Sequence, residues 1–553
     1  MSRAKSLCTK TAVWIPFAPG VLNDVGAAAW RARSGAGPMA VESDSRLADV
    51  VAALTLATDL ASGLQLEHGL RRTLVAVWLG AAAGLNDDQL RDAYYVSLLG
   101  SAGCVLDTAA AARFVGDDIA FRGGMFSLDM ANPLVAVRYL ARTAGRGRPL
   151  VRRAAGMVGL ARQSAVFRDV ALHVGGLLDL GPAVRDAIGQ CDEHWNGKAG
   201  VLGLKGEQIS IHARLFRLAQ DLDVFHHAAG MPAAVEVLRR RSGTYYDPDL
   251  VALVASGAEE LRSRLEVASL WDAVLATEPA PHRKVSDAEF DVVAHQVANF
   301  IDMRSAYTVG HSPAVAGLAG AAAGRLGLSP QEARTLRSAG LLHDLGRAGI
   351  PVALWDKRDP LTAQEREWLE RHPALTELVL ARSASLGRLG SVAGLHHERL
   401  DGSGYRGFSS SSLPLAARIL AVADAYQSKV EPRAYRGPLT SEQAAAAVRM
   451  QVDAGRFDGE VVRAVLDAAG HHESDSVAAL PAGLTRREVE VLRLVVRGMS
   501  NREIADSLVL SPKTVGHHIE SIYAKIDVST RVGATLFAVQ HGLTATLEDP
   551  TRR

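Results

Sequence analysis

The stretch Leu342-His343-Asp344-Leu345-Gly346 lies near the middle of the 553-residue chain, at the end of an apolar run that begins at Leu336. The run has the composition of a buried helix. A His-Asp pair at the end of such a helix places an imidazole and a carboxylate at the rim of a buried core, where metal ions can be held away from water. A second apolar run, Ala416 to Ala425, leads into Asp424, which is also expected near a helix end. These segments predict a helical domain with a metal site.

Further histidines occur in order around these two runs, at His311, His372 and His396-His397. Imidazoles and carboxylates suit first-row divalent metals, and one carboxylate can bridge two ions. A pair of ions can hold both the attacking and the leaving oxygen of a phosphate ester. Each residue taken alone is better interpreted as an ordinary polar side chain. Their ordered recurrence within one segment favours a two-metal site that acts on a phosphate ester.

The composition of the chain predicts an all-α fold, because it is rich in Ala and Leu and only 5% aromatic. Sixty-one basic residues against sixty acidic ones leave a formal net charge of +1, so any contact with nucleic acid has to be local. Three widely spaced cysteines argue against a disulfide framework, and no apolar run is long enough to cross a bilayer. These features predict a cytoplasmic protein that does not associate with membranes.

Two segments rich in proline, serine and charged residues, 276–287 and 471–483, are predicted to be linkers. They separate block one (residues 45–275), block two (285–470) and a C-terminal block (484–545). Residues 1–44 mix Pro, Gly, Ser and Arg without periodicity and are predicted to be disordered.

Blocks one and two show similar features in the same order. Gly203-Leu204-Lys205-Gly206 and then Ala213-Arg214-Leu215-Phe216 in block one correspond to Asp401-Gly402-Ser403-Gly404 and then Ala417-Arg418-Ile419-Leu420 in block two. The matching order predicts an internal repeat. Chance similarity between Ala- and Leu-rich helices is the alternative.

Over residues 290–470, block two resembles the HD-GYP branch of the HD phosphohydrolases. The resemblance is carried by these motifs: His311-Ser312, Leu342-His343-Asp344-Leu345-Gly346, Ile350-Pro351, Arg371-His372-Pro373, His396-His397-Glu398, Asp401-Gly402-Ser403-Gly404-Tyr405 and Val422-Ala423-Asp424. It implies two metal ions, usually iron or manganese, and hydrolysis of cyclic di-GMP. One ion would be held by His311, His343, Asp344 and Asp424. Asp344 would bridge to a second ion held by His372, His396 and His397.

Block two departs from the family pattern at three positions. Arg347 replaces the usual Lys three residues after the Asp, and Arg406 replaces the Pro of the signature. Tyr307 stands where members with three metals have Glu. Asp344 and Arg347 are the expected catalytic residues, and Arg347, Tyr405 and Arg406 the expected substrate contacts. Because Arg is shaped differently from Lys, a sensor that binds a nucleotide or metal without cutting, and controls DNA binding through dimerisation, is the alternative.

Block one keeps His68 but has Gly100-Ser101 at the place of the His-Asp pair and Cys191-Asp192-Glu193 at the place of His396-His397-Glu398. Gln220 stands near the place of Asp424. Block one is therefore expected to be a degenerate HD-like domain without metals, and the resemblance to similar tandem regulators implies a sensor or dimerisation unit. Glu193, Trp195 and Asn196 are either remnants of a pocket or, more simply, core residues.

The C-terminal block contains three local signals for helix starts. Thr485 with Glu488, and Ser500 with Glu503, form capping boxes, and Ser511-Pro512 is an N-cap followed by proline. The predicted helices are 486–497, 501–508, 512–526 and 529–541. The second and third are joined by a short turn, as in a helix-turn-helix.

The residues from Leu484 to Lys525 resemble the LuxR-type DNA-binding domain, with motifs at Leu484-Thr485-Arg486-Arg487-Glu488, Ser500-Asn501-Arg502-Glu503-Ile504-Ala505 and Ser511-Pro512-Lys513-Thr514-Val515. The resemblance implies that the helix beginning at Pro512 enters the major groove of double-stranded DNA. Gly516, His517 and Glu520 would then lie at base edges, and Lys513, Thr514 and Lys525 at phosphates. A single small module with a weak positive surplus would bind feebly, so a homodimer on two half-sites is expected.

Overall fold

The computed structural model describes residues 45–101, 116–126, 128, 133–143, 178–200, 202–383, 385–408, 412–471, 481–496, 498–508, 510–541 and 543. Residues 1–44, predicted to be disordered, and most of the segment 471–483 lie outside this set. The secondary-structure elements of the described residues are helices, with no β-strand, so the predicted all-α class is confirmed. No described helix is both long and apolar enough to span a membrane. The chain divides into two compact units, Met1–Gly470 and His471–Arg553.

Ten helices are described in block one. They are α1 Leu47–Ser62, α2 His68–Ala82, α3 Asp87–Leu99, α4 Asp118–Phe126, α5 Pro133–Thr143, α6 Pro182–Ile188, α7 Ile211–Ala229, α8 Met231–Arg241, α9 Pro248–Leu265 and α10 Leu270–Thr277. The described part of block two adds ten more: α11 Asp287–Asp302, α12 His311–Arg325, α13 Pro330–Leu342, α14 Val352–Trp355, α15 Ala363–Leu369, α16 His372–Leu380, α17 Gly387–Ala393, α18 Leu415–Val430, α19 Ser441–Asp453 and α20 Gly459–Ala468. A short 3-10 helix, Leu345–Gly349, follows the His-Asp pair.

Blocks one and two share a continuous apolar core within the first unit. The segment 276–287 between them is held in place: Leu47 N donates to Arg283 O at 2.8 Å, and Val285 N donates to Ser45 O at 2.9 Å. The buried carboxylate of Glu278 accepts a hydrogen bond from Tyr95 Oη at 2.6 Å. This segment therefore behaves as part of the packed unit, and the boundary drawn there stays a prediction.

Equivalent contacts in the two blocks support the predicted repeat. The carboxylate of Glu193 accepts from the backbone nitrogens of Leu202 and Leu204, at 2.8 and 3.0 Å. The carboxylate of Glu398 accepts in the same way from the backbone nitrogens of Arg406 and Phe408, both at 2.9 Å. In each block a glutamate thus fixes the loop that precedes the next long helix.

The second unit contains α21 Arg486–Val496, α22 Asn501–Leu508, α23 Pro512–Lys525 and α24 Arg531–Gln540. These bounds agree with the predicted helices to within two residues. The predicted side-chain caps are present, with Glu488 N, Glu503 N and Thr514 N donating to Thr485, Ser500 and Ser511 at 3.3, 3.3 and 3.0 Å. Val515 and Ile522 of α23 are buried in the core of this unit.

Candidate metal centre and DNA-binding module

The candidate metal ligands of block two converge into two buried clusters. His311 begins α12, His343 directly follows α13, and His372 begins α16. Within each cluster the ligand atoms lie within 4.8 Å of one another, and the clusters are His311 with His343 and Asp344, and His372 with His396 and His397. Asp344 faces both of them, because its Oδ2 is 3.4 Å from His343 Nε2 and its Oδ1 is 3.3 Å from His372 Nε2. This is the arrangement that a bridging carboxylate requires.

Asp424 joins the first cluster from the side of α18. Its Oδ1 lies 3.2 Å from His311 Nε2, and its Oδ2 lies 3.7 Å from His397 Nδ1. The expectation that Asp424 ends a helix is wrong, because α18 continues to Val430. The carboxylate is presented from the middle of a helix whose preceding residues are buried.

Hydrogen bonds at Nδ1 orient the imidazoles so that Nε2 points into the clusters. His343, His372 and His396 each donate from Nδ1 to a backbone carbonyl three residues earlier, at 2.7, 2.7 and 2.6 Å. In the neutral form of each ring this tautomer leaves Nε2 free to act as a metal ligand. His343 Nε2 is buried without a hydrogen-bond partner among the described residues. His372 Nε2 and His396 Nε2 face each other at 3.1 Å, so a cation shared between them fits this donor set.

Glu431 is a part of the site that the sequence reasoning missed. Its Oε2 lies 2.8 Å from His311 Nδ1, and Gln427 and Arg433 hydrogen-bond to the same carboxylate. Glu431 caps α18 seven residues after Asp424, so two helical turns bring both carboxylates to one side. The seven-residue spacing from Asp424 was the feature of the sequence that could have identified Glu431 as part of the site.

The electrostatics of the clusters favour a metal-binding protonation state at Asp344 and His396 and oppose it at His311. Burial raises the pKa of the Asp344 carboxyl, but the charges of Arg347 and His343 hold it well below its ordinary value. Burial and the neighbouring His343 lower the pKa of His396 to about 3. Burial lowers the pKa of His311, but the neighbouring Asp424 and Glu431 raise it to about 10. A proton therefore competes with a metal ion at His311.

Of the three predicted substrate contacts, two lie beside the metal-ligand clusters and one does not. Arg347 Nη1 donates to Asp344 Oδ2 at 2.7 Å, and the ring of Tyr405 lies 4.4 Å from that of His397, with Tyr405 38% exposed. Arg406 instead donates to Glu377 at 2.5 Å, with both side chains less than 10% exposed. The structure thus brings Arg347 and Tyr405 to the clusters, whereas Arg406 is held in a buried ion pair.

The predicted DNA contacts lie on α23 in the second unit. Lys513, His517 and Glu520 are exposed, and Thr514 and Gly516 are half-buried. Lys525 is also on α23, but its Nζ donates to Glu488 Oε2 of α21 at 2.7 Å. Its ammonium group is therefore already paired within the module.

Two protein-family models match the chain. The model described as "HD domain" matches residues 178–250 and 295–461, and the model described as "Bacterial regulatory proteins, luxR family" matches residues 482–538. The chain joins an HD domain to a luxR-family DNA-binding domain. The HD match extends into block one, where the ligands of block two are mostly missing.

The HD part has curated relatives that are phosphodiesterases. The chain is 29% identical over 413 residues to 3'3'-cGAMP-specific phosphodiesterase 3 of Vibrio cholerae, which covers 72% of this chain and 90% of the relative. It is 35% identical over 191 residues to the cyclic di-GMP phosphodiesterase response regulator RpfG of Xanthomonas campestris, covering 34% of this chain and 50% of the relative. The crystal structure of a cyclic GMP-AMP specific phosphodiesterase of V. cholerae, V-cGAP3, aligns with a TM-score of 0.57 and 25% identity, over 78% of this chain and 99% of that one.

In block one, a buried guanidinium contacts two side chains at positions predicted to correspond to candidate ligands of block two. Arg72 lies four residues after His68, as Val315 does after His311, and its side chain is fully buried. Arg72 Nη1 donates to Ser101 Oγ at 2.6 Å and to Gln220 Oε1 at 3.0 Å, the positions predicted to correspond to Asp344 and Asp424. Arg72 Nη2 donates to Ser97 O at 2.6 Å, and the guanidinium lies 4.5 Å from the centre of the Phe216 ring.

The suggested pocket remnants of block one serve the loop around them. Glu193 accepts the two backbone hydrogen bonds described above, and Asn196 Oδ1 accepts from Lys198 N at 3.0 Å. Arg214 lies over the ring of Trp195 at 5.7 Å. These contacts favour the simpler interpretation of structural residues.

Replacing Glu488 by glutamine is expected to loosen the luxR-family module. Burial raises the pKa of Glu488, but hydrogen bonds from Lys525, Ser521 and Thr485 lower it to about 2. A carboxyl with a depressed pKa in the folded state stabilises above its unfolded pKa, and the stabilisation is lost as the pH falls through the folded value. We expect Glu488→Gln to cost about 2 kcal/mol at pH 7, measured as faster hydrogen exchange in residues 486–496 and 512–525.

The difference in stability between the wild type and Glu488→Gln should shrink as the pH falls from about 4.5 towards 2. Glu490→Gln is the control, since this carboxylate is 46% exposed and pairs with Arg487 on the same helix. Equal protection of Glu488→Gln and wild-type protein at pH 7 would contradict the assigned role.

Proposed function

We propose that the HD domain in block two hydrolyses a cyclic dinucleotide with two divalent first-row metal ions, iron or manganese, and that the luxR-family module regulates transcription as a homodimer on DNA. The observation that carries this proposal is that five imidazoles and the carboxylates of Asp344 and Asp424 lie together in two adjoining clusters. The phosphodiesterase relatives add support from sequence. A DNA-binding regulator of this kind would work in the cytoplasm.

The proposed ligand sets follow the two clusters. His311, His343, Asp344 and Asp424 would hold one ion, and Asp344, His372, His396 and His397 the other. When bound, such a pair supplies a water of lowered pKa and neutralises charge on a phosphate. Glu431 keeps the His311 Nε2 turned inward through its hydrogen bond at Nδ1.

The protein's own contribution to substrate binding would come from Arg347 and Tyr405. Arg347 has five N–H donors and uses Nη1 on Asp344, so other donors remain for phosphate oxygens. Tyr405 offers a partly exposed ring beside His397, on which a nucleobase can pack. Arg406 keeps its guanidinium for Glu377 and shapes the loop through its backbone N–H, which donates to Glu398.

On DNA, Gly516, His517 and Glu520 would meet base edges, and Lys513 and Thr514 would meet phosphates. Lys525 would reach a phosphate only by leaving or sharing Glu488, so we give it a smaller part in affinity. Two modules on two half-sites would supply the electrostatic contacts that one lacks.

The test is a turnover assay on the full chain purified with iron or manganese. We expect linear dinucleotide, or mononucleotide, from 3'3'-cGAMP, from cyclic di-GMP, or from both, together with about two metal ions per chain. Metal removal by a chelator should abolish turnover. The sensor alternative predicts binding of the same nucleotides in equilibrium dialysis with no product, and that result would overturn the hydrolytic function.

A further inference from the structure

The replacement of the usual Lys by Arg347 is accompanied by a second feature, the aromatic side chain of Trp355. The guanidinium carbon of Arg347 lies 3.9 Å from the centre of the Trp355 ring. At the same time Arg347 Nη1 donates to Asp344 Oδ2 at 2.7 Å. The guanidinium is therefore held by a ring on one side and by a hydrogen bond at one end.

Trp355 is itself fixed by its surroundings. Its ring meets that of His372 edge-on, with centres 5.3 Å apart and planes at 75°. It also packs in a small apolar cluster around the buried side chains of Ile350 and Leu375, with Leu60, Leu354 and Leu378. Leu60 comes from α1 of block one, so the degenerate block helps to build the wall on which Arg347 lies.

An aromatic ring face can orient the side chain of an arginine but has much less effect on that of a lysine. The guanidinium is planar and its donors form a fixed fork, so its orientation decides whether it meets an oxygen pair. Stacking on an indole sets that plane, because the cation and the ring attract each other face to face. An ammonium group has no plane to set.

We infer that Trp355 is a positioning residue for the proposed hydrolysis, which fixes the plane of Arg347 so that its donors outside the Asp344 hydrogen bond can bind a phosphate oxygen. The inference rests on the proposed function. It assigns to Trp355 a role that depends on arginine at position 347, and this dependence separates it from a residue that merely supports the fold.

The experiment is a double-mutant cycle in the full chain. Trp355→Leu is expected to lower kcat/KM about tenfold in the Arg347 background, with metal content unchanged. In the Arg347→Lys background the same change should cost less than about twofold. Trp355→Phe keeps a ring and should restore most of the loss. Trp78→Leu, a half-buried tryptophan of block one, is the matched control and should leave kcat/KM unchanged.

A second measurement is independent of turnover. The Kd of the chelator-treated protein for a phosphorothioate cyclic dinucleotide should rise about tenfold with Trp355→Leu when position 347 is Arg, and should barely change when it is Lys. Equal effects of Trp355→Leu in both backgrounds would overturn the inference. If the metal-loaded wild-type protein shows no turnover, the proposed function fails, while the binding cycle still decides whether Trp355 positions Arg347.

Discussion

Asp344→Asn is expected to remove the metal centre and to lower turnover by about 10³-fold or more. Asp344 lies between the two clusters, with one oxygen towards His343 and the other towards His372. An amide has the same shape but one neutral oxygen acceptor, so it cannot neutralise two cations at once. Metal analysis of the purified variant should give less than one ion per chain, against two for the wild type.

The fold should survive this change, since Asn is isosteric with Asp. Asp359→Asn, at an exposed position in the same block, is the matched control for the loss of one negative charge and should keep both metal and turnover. Wild-type metal content and wild-type turnover in Asp344→Asn would contradict both the ligand assignment and the proposed function.

Arg72→Met is expected to destabilise block one by about 3 kcal/mol or more. The guanidinium is fully buried and donates to Ser97 O, Ser101 Oγ and Gln220 Oε1. Methionine fills much of the volume but leaves these acceptors unpaired and removes the cation over Phe216. Urea unfolding, and hydrogen exchange in residues 68–82 and 87–99, would measure the loss.

Arg72→Lys should fall between the wild type and methionine, because it keeps the charge without the fork of donors. Arg264→Met is the control for removing an arginine, since this side chain is 59% exposed and pairs with Glu260 on one helix. Protection of α2 and α3 in Arg72→Met equal to that of the wild type would refute the role given to Arg72.

Arg72 also bears on what block one does. Its guanidinium joins the residues that replace Asp344 and Asp424, and Phe216 closes the space beside Gly100, where an added Cβ would lie 2.4 Å from the ring. Side chains of the block itself therefore pack around the positions predicted to correspond to the candidate ligands of block two. Block one instead contributes to block two by packing, as Leu60 does beside Trp355.

The sequence alone was enough wherever the cause is local. The helices of the luxR-family module were predicted to within two residues because Thr485, Ser500 and Ser511 cap helices through contacts three residues away. The order of the histidines and aspartates likewise indicated which residues would converge. The sequence pattern did not predict that α18 continues past Asp424, since the apolar run does not show where a helix stops.

The tertiary structure decided which charged side chains face which partners. Arg72 hydrogen-bonds to Gln220, which is 148 residues away in the sequence. His311 contacts Glu431 at a separation of 120 residues, and Arg406 donates to Glu377 at a separation of 29. A buried charge takes whichever partner the packing brings near it, and a single sequence does not encode that distance in its spacing. The amino-acid sequence by itself determined the helices of the luxR-family module, the types of the candidate ligands and the two kinds of domain. Packing determined that the guanidinium of Arg72 donates to Ser101 and Gln220 in block one, that Glu431 orients His311, and that Arg347 lies on Trp355.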